Sequence, residues 1–293
     1  VVGAGRGIGK GIALAFAAWH AFILAAAPPT DWDVLAYHLA LPKLYLKTGG
    51  LHALPWLLHS HFPHLMETFY SVALALRCDQ AAALWHAGLC GVLISTVFHC
   101  ARRELGETCA WTGAALLASQ PALLFVAPQA HSDGALTLFH FLACLALWEW
   151  SKRRSLRLLA LAGLLSGLAV SCKLQGALLA AGLSLWVLLE PAPTRRRLGC
   201  ALLYSACVLA VCAPWFLKTW IETGNPLWPF AAALFGGTGD PAALAGPYAD
   251  MQLWRFPKDL ALLPLYGPQY LLVPALLAAA AASAAERPLP RFL

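Results

Sequence analysis

Residues 31–70, DWDVLAYHLALPKLYLKTGGLHALPWLLHSHFPHLMETFY, bring together acids, histidines, lysines and aromatic residues in a chain otherwise dominated by alanine and leucine. The segment follows a hydrophobic run that ends at Ala27, so Asp33, Tyr37 and Lys43 come just beyond that run. If the run crosses a bilayer, these groups emerge at the water boundary, where a carboxylate is unfavourable unless it has a function. The segment is therefore predicted to be the reaction centre of a membrane enzyme.

The composition of the whole chain favours a membrane protein. Hydrophobic residues make up 60% of the sequence and charged residues 12%, far from the values of an average soluble domain. Because lipid forces backbone groups to pair within their own segment, an all-α, polytopic helical protein is predicted. The net charge of +6 comes from short basic clusters between apolar runs, so nucleic-acid binding is not expected. The nine cysteines form no CxxC pair and indicate neither a disulfide framework nor a zinc knuckle.

The amino-terminal sequence VVGAGRGIGKG has the glycine spacing of a dinucleotide-binding turn, through Gly3, Gly7 and Gly9. That motif requires a strand before it and a βαβ unit around it, whereas an apolar membrane segment follows here. A coincidence or a foreign start over residues 1–17 is the preferred interpretation. The chain also begins without methionine, and a fragment of a longer protein is left open.

Apolar runs near the length of a bilayer recur along the chain and predict spanning helices. They cover residues 8–27, 82–101, 108–124, 134–150, 156–172, 174–190, 198–217 and 269–286. Residues 64–77 have a helical pattern but are short. The basic clusters are Arg102–Arg103, Lys152–Arg154 with Arg157, Arg195–Arg197, and Arg287 with Arg291.

The positive-inside rule decides the role of residues 64–77. If this segment does not cross the membrane, all four basic clusters share the side of the amino terminus. It is therefore predicted to be a surface helix, which gives about eight spans with both ends cytoplasmic. Residues 28–77 then form an extracytoplasmic loop that carries surface helices. The turns around Asp133 and Lys173 and residues 218–268 fall on the same outer face, so the site is predicted to be extracytoplasmic.

The motifs of this outer face resemble membrane glycosyltransferases of the GT-C superfamily, specifically glycosyltransferase family 39, related to protein mannosyltransferases and lipid A aminoarabinose transferases. In those enzymes an acid opens the first outer loop and an aromatic residue follows four positions later, as Asp33 and Tyr37 do here. HFPHLMETFY resembles their proline-rich patch and surface helix, and ARRELG resembles a short turn after the next span. AHSDGAL, with Asp133, resembles the turn that carries a second acid, and TGNPLWPF resembles a segment of bacterial members. The resemblance covers residues 28–235, with Val34 where a glutamate usually follows the first acid.

The resemblance implies sugar transfer from a polyprenyl-phosphate-linked donor to a lipid, glycan or protein acceptor at the outer face of the inner (plasma) membrane. An inverting displacement needs a base for the acceptor proton, and Asp33 is the predicted base. The leaving phosphate needs cations, for which Lys173 and Lys43 are candidates. Asp133 is expected to position the acceptor, the sugar or a metal ion. The predicted catalytic residues are Asp33 and Asp133, and the predicted substrate-binding residues are Tyr37, His38, Lys43, His64, Glu67 and Lys173.

Each of these assignments has a structural alternative. Asp33 or Asp133 could cap a helix, and Asp31 competes with Asp33 as the stronger candidate for the cap. Lys173 could extend to the interface from a helix end. His59, His61 and His64 allow a metal site, although interfacial polar residues are favoured because no carboxylate spacing accompanies them. No cofactor is assigned, and a divalent metal ion is left open.

A transporter or lipid flippase is the rival class of protein, since it would also hold charges in the membrane. Such proteins are expected to show internal repeats and helices broken at mid-membrane, and neither feature is recognisable in the sequence. The sequence names neither the donor sugar nor the acceptor.

Overall fold

The computed structural model describes residues 2–54 and 57–237. Within these ranges the chain forms helices and connecting turns and contains no strand, which confirms the predicted all-α class. The helices are α1 (Val2–Ala25), α2 (Ala40–Thr48), α3 (Leu65–Ala75), α4 (Asp79–Leu105), α5 (Glu107–Ala118), α6 (Pro121–Val126), α7 (Asp133–Arg153), α8 (Leu156–Cys172), α9 (Gly176–Leu189), α10 (Thr194–Thr223) and α11 (Ala232–Phe235). A π-helical turn (Val34–His38) precedes α2, and a 3₁₀ turn (Leu58–His61) precedes α3.

Three of these helices are long and apolar enough to cross a membrane: α4, α7 and α10, with 27, 21 and 30 residues. The shorter apolar helices are α3, α8, α9 and the part of α1 that covers Gly11–Ala25. The chain is therefore a helical membrane protein, and the number of eight spans stays a prediction. The predicted span at 269–286 and the basic residues Arg287 and Arg291 lie outside the described residues.

The predicted run 108–124 is not one helix. Helix α5 ends at Ala118 and α6 begins at Pro121, with Gln120 in an extended conformation between them. A proline disfavours the helical conformation of the residue before it and fits the first position of a new helix, because its missing N–H would have no partner there. The short segment at 64–77 is helical as predicted, over the 11 residues of α3.

The glycine-rich start lies inside α1. Gly3, Gly7 and Gly9 therefore do not follow a strand, and the strand–turn–helix context of a dinucleotide site is absent from the described residues.

Helices α8 and α10 approach each other closely because α8 presents glycines. A Cβ atom added at Gly163 would lie 2.6 Å from the carbonyl oxygen of Tyr204, and one added at Gly167 would lie 2.7 Å from that of Val208. Small residues four apart are a common means of bringing helices together in membranes. The adjoining core of α7–α10 includes the buried side chains of Leu147 and Leu159.

Charged side chains gather at two opposite ends of this bundle. Arg103, at the end of α4, pairs with Glu149 near the end of α7, and Arg154 Nη2 lies 2.7 Å from Glu190 Oε2 beyond α9. At the other end, the segment before α2, the start of α7 and the turn after α8 come together, and Lys173 lies in that turn. Three predicted basic clusters thus lie away from the predicted site.

Candidate active site

The π-helical turn at residues 34–38 fixes the first group of polar side chains. The N–H of Val34 donates to Oδ1 of Asp31 over 3.2 Å, and the N–H of Leu39 donates to the carbonyl of Val34 over 2.9 Å. Asp31 therefore stabilises the start of the turn, whereas the side chain of Asp33 makes no capping hydrogen bond. The half-buried carboxylate of Asp33 is left available for another role.

A buried histidine–glutamate pair connects this turn to α3. His38 and Glu67 are each 2% exposed, and Nδ1 of His38 lies 2.5 Å from Oε1 of Glu67. Burial alone would raise the pKa of Glu67, but the hydrogen bond and charge of His38 outweigh it and lower that pKa. Glu67 is thus ionised at neutral pH and accepts the Nδ1–H of His38. Nε2 of His38 and Oε2 of Glu67 have no hydrogen-bond partner among the described residues.

His131 links this pair to two acids. Its ring centroid lies 5.0 Å from that of His38, and its Nε2 lies 3.2 Å from Oδ1 of Asp31. Its Nδ1 lies 3.8 Å from Oδ2 of Asp133. Its backbone carbonyl accepts the hydroxyl of Tyr70 over 2.5 Å. Burial and the nearby His38 lower the pKa of His131, so this ring is neutral at neutral pH.

Asp133 and Lys173 form a partly exposed ion pair within the cluster. Lys173 Nζ lies 2.9 Å from Asp133 Oδ1, and about one third of each side chain is exposed (34% and 35%). The next residue, Gly134, donates its N–H to Nε2 of His86 over 3.0 Å. A Cβ atom at Gly134 would meet His86 and Cys90, so glycine is required for α7 to start this close to α4. The carboxylate of Asp133 thus holds the ammonium group of Lys173 at this end of the bundle.

Tyr37 lies within the electrostatic reach of three of the acids. Burial, followed by the interaction with Asp33, raises the pKa of its hydroxyl well above the usual value, and Glu67 and Asp133 add to this effect. The Tyr37 ring stacks on that of His59, with centroids 4.2 Å apart and an angle of 2° between the planes. The charges of Asp33, Glu67 and Asp133 thus all act on one tyrosine.

Of the predicted substrate-binding residues, Lys43 lies apart from this cluster and His64 lies at its border. Lys43 Nζ pairs with Oδ2 of Asp79 at 2.8 Å on the exposed surface. His64 is buried, with Nδ1 2.7 Å from the hydroxyl of Tyr45 and Nε2 2.7 Å from the carbonyl oxygen of His59. Burial lowers the pKa of His64 to about 4. The contacts of His64 indicate that it holds the loop that carries His59.

Sequence reasoning missed a set of contacts between this loop and the end of α10. Lys218 Nζ donates to the carbonyl of Ser60 and to Oε2 of Glu222, each over 2.8 Å. The hydroxyl of Thr219 donates to the carbonyl of His61 over 2.7 Å. The signal that could have indicated these contacts is Lys218 and Glu222, two opposite charges four residues apart at the end of an apolar run. Charged side chains in such a position are unfavourable next to lipid unless they have partners. His131 was also missed as a member of the site, although it stands two residues before Asp133.

The three loop histidines do not converge on one point. Nδ1 of His61 lies 3.4 Å from Glu222, while His59 stacks on Tyr37 and His64 contacts Tyr45. In the part of the chain that the structure describes, no group of three or more His, Cys, Asp or Glu side chains is placed to hold a metal ion.

Acids, histidines and a lysine gathered at one end of the bundle of a helical membrane protein mark a functional site. The model of the dolichyl-phosphate-mannose-protein mannosyltransferase family matches residues 62–236, more than half of the chain. The chain belongs to this family and is a membrane glycosyltransferase of the GT-C type, as the sequence motifs predicted. No curated protein and no solved structure matches it. The matched region contains Glu67, Asp133 and Lys173, whereas Asp33 and His38 precede it.

Proposed function

We propose that the chain transfers a sugar from a polyprenyl-phosphate-linked donor to an acceptor on the extracytoplasmic face of the membrane. The observation that carries this proposal is the partly exposed Lys173–Asp133 pair, which lies beside Asp31, His131 and the buried His38–Glu67 pair. The family implies a lipid-linked sugar donor and an acceptor in a membrane. A lipid donor fits a site at the end of a helical bundle, because its tail can stay in hydrocarbon while its phosphate reaches the polar cluster.

Asp33 is the proposed base of an inverting displacement. The acceptor hydroxyl must lose a proton as the sugar–phosphate bond breaks, and a positioned carboxylate can take it. Asp33 is half-buried, makes no capping bond and interacts with Tyr37. Tyr37 is in turn held by its stacking on His59, so the carboxylate is supported on one side by a fixed ring.

Lys173 is the proposed partner of the leaving phosphate. An ammonium group stabilises the negative charge that develops on the phosphate oxygens as the sugar departs. Asp133 holds this ammonium in place before the donor arrives, which reduces the reorganisation needed during the reaction. Both side chains are partly exposed, so the contact between Lys173 and Asp133 can be replaced by contacts with the donor. Neither charge is then left fully buried without a partner.

The His38–Glu67 pair is proposed to orient the substrate. Glu67 fixes the direction of the His38 ring through the contact at Nδ1, in the same way that a buried carboxylate orients a histidine in other enzymes. The remaining nitrogen, Nε2, is buried without a partner among the described residues, and the approach of a donor or acceptor oxygen would provide one. His131 occupies the space between this ring and the two acids, Asp31 and Asp133.

The test is transfer by the purified chain in lipid vesicles, with polyprenyl-phosphate mannose and polyprenyl-phosphate aminoarabinose as donors. Release of polyprenyl phosphate is measured with a hydroxyl-containing peptide or lipid A as acceptor. We expect the unaltered chain to release polyprenyl phosphate from a lipid-linked donor. Asp33→Asn should abolish this release, whereas Asp79→Asn, which changes an acid outside the cluster, should retain it. Transfer from a water-soluble nucleotide sugar but not from either lipid-linked donor would refute the proposal.

A further inference from the structure

The 3₁₀ turn Leu58–His61 is held by two side chains from the end of α10. Lys218 Nζ donates to the carbonyl oxygen of Ser60 over 2.8 Å, and the hydroxyl of Thr219 donates to that of His61 over 2.7 Å. Both carbonyls lie at the carboxyl end of the turn, where a helix leaves its last carbonyl groups without a partner in its own backbone. Side chains of α10 therefore cap this turn.

The two side chains of α10 are almost fully buried where they meet the turn. Thr219 is 4% exposed, and 11% of the Lys218 side chain is exposed. The hydroxyl of Thr219 also lies 3.0 Å from the carbonyl oxygen of Trp215 in its own helix. A threonine that only needed a partner for its hydroxyl could use that carbonyl. The shorter contact with the turn is thus not required to satisfy the side chain, and what it does is to connect α10 to the loop beside the proposed site.

The turn carries His59, whose ring supports the tyrosine next to the proposed base. The rings of His59 and Tyr37 stack with centroids 4.2 Å apart and an angle of 2° between the planes. Nδ1 of His59 is buried and makes no hydrogen bond to any described residue. The position of this ring is therefore decided chiefly by the backbone of the turn and by the stacking contact. Tyr37 in turn interacts with the carboxylate of Asp33.

We infer that Thr219 and Lys218 are positioning residues for the transfer reaction. They hold the turn whose His59 ring stacks on Tyr37, and Tyr37 supports the carboxylate of Asp33. The inference rests on the proposed function, which makes Asp33 the base. Neither α10 residue has to touch a substrate in this role. Their contribution is to the geometry of the base, and a small displacement of a reacting group lowers the rate of a chemical step steeply.

The test changes Thr219, because removal of Lys218 would also break an ion pair within α10. Thr219→Val keeps the shape of the side chain and removes the donor, whereas Thr219→Ser keeps the donor. Tyr204→Phe is the matched control. It also removes a buried hydroxyl from α10, but this hydroxyl donates to Ser166 of α8 over 2.6 Å and not to the turn. His59→Ala provides the background in which the stacked ring is missing.

The first readout is the fluorine NMR resonance of a fluorotyrosine placed at position 37, in the purified chain in lipid nanodiscs. Thr219→Val should shift this resonance towards that of His59→Ala, because the stacked ring is displaced. Thr219→Ser and Tyr204→Phe should keep the resonance of the unaltered chain. A contact that only stabilises the fold would lower the thermal midpoint without moving the ring. An unchanged resonance in Thr219→Val therefore overturns the inference, whatever happens to the thermal midpoint.

The second readout is the steady-state kinetics of transfer from a polyprenyl-phosphate sugar. We expect Thr219→Val to lower kcat about tenfold and to keep the KM of the donor within about twofold, because a displaced base slows the chemical step and leaves the phosphate site at Lys173 unchanged. Thr219→Ser should restore most of the rate, and Tyr204→Phe should keep it. In the His59→Ala background, Thr219→Val should cause little further loss, because both changes act through the same ring.

Two kinetic results overturn the inference. One is an additive loss in the double variant, and the other is a rise in KM with kcat unchanged. Absence of transfer by the unaltered chain from every lipid-linked donor refutes the proposed function instead. The fluorine resonance, which is read without sugar transfer, then decides by itself whether Thr219 positions Tyr37.

Discussion

Lys173 Nζ and Asp133 Oδ1 lie 2.9 Å apart, although 40 positions separate the two residues in the chain. The contact exists because α7 starts where α8 ends, so two helices of opposite direction bring their polar termini to the same end of the bundle. A lysine and an acid that would each be unfavourable next to lipid are thus paired at a common boundary. About one third of each side chain is exposed (34% and 35%), so an incoming anion can reach the pair.

Replacement of Lys173 should weaken use of the donor. Lys173→Met removes the proposed partner of the phosphate, and loss of one charge-assisted hydrogen bond of about 1.5–3 kcal/mol corresponds to roughly a tenfold to hundredfold fall in kcat/KM. Lys173→Arg should recover part of the activity because it keeps the charge. Lys43→Met is the control, since Lys43 is paired with Asp79 on the surface. Equal losses at Lys43 and Lys173 would contradict a special role for Lys173.

Asp33 and Asp31 should differ in their effect on transfer. Asp33→Asn keeps the size of the side chain but removes the proposed base, so activity should fall by on the order of a hundredfold or more. Asp31→Asn should be milder, because an amide oxygen can still accept the hydrogen bond from the N–H of Val34. Steady-state transfer and thermal midpoints are measured for both variants. Near-normal transfer in Asp33→Asn together with loss in Asp31→Asn would show that Asp31 is the catalytic acid.

Stability should fall on mild acidification because His64 is buried in its neutral form. The folded pKa of about 4 lies below the ordinary value of 6.5, so between these values the unfolded chain binds more protons. The free energy of unfolding therefore decreases as pH falls into this window, by about 2 kcal/mol from pH 7.5 to 5 for this residue. Burial also lowers the pKa values of His59 and His131, so these residues likewise reduce the free energy of unfolding as the pH falls.

The measurement is the thermal midpoint in detergent at pH 7.5 and pH 5, for the unaltered chain and for His64→Asn. The variant should show a smaller drop between the two pH values. His52→Asn, at an exposed position, should keep the full drop. If His64→Asn shows the same pH dependence as the unaltered chain, His64 does not contribute to it.

Labelling of single cysteines tests which end of the bundle faces outward. In a chain freed of its nine native cysteines, Lys47→Cys at the end of α2 should react with an impermeant maleimide in intact cells. Arg196→Cys, near the start of α10, should react only after permeabilisation, because basic clusters are retained on the cytoplasmic side. Both positions are exposed, so accessibility within the fold does not explain a difference. Labelling of Arg196→Cys in intact cells would overturn the proposed orientation.

The sequence was sufficient for features that depend on local composition. Long apolar runs predicted α4, α7 and α10, because a chain in lipid must pair its backbone groups within each span. The spacing of motifs such as HFPHLMETFY and AHSDGAL indicated the family, whose model matches residues 62–236. The resemblance at Asp33 and Tyr37 lies before the matched range and stays a prediction. The break before Pro121 was also visible in the sequence, but hydrophobicity over 108–124 outweighed it in the prediction.

The contacts that form the site depended on the tertiary structure. No local pattern indicates that His38 meets Glu67 across 29 positions, that His131 lies between Asp31 and Asp133, or that Lys43 pairs with Asp79 instead of joining Lys173. These pairs are decided by the order and packing of helices, including the close approach that Gly134 permits between α7 and α4. Hydrophobicity determined which segments form helices in a membrane because it acts on each segment independently. The partners of the charged side chains were determined only by folding, because each buried polar group must find its partner among residues that packing brings near it.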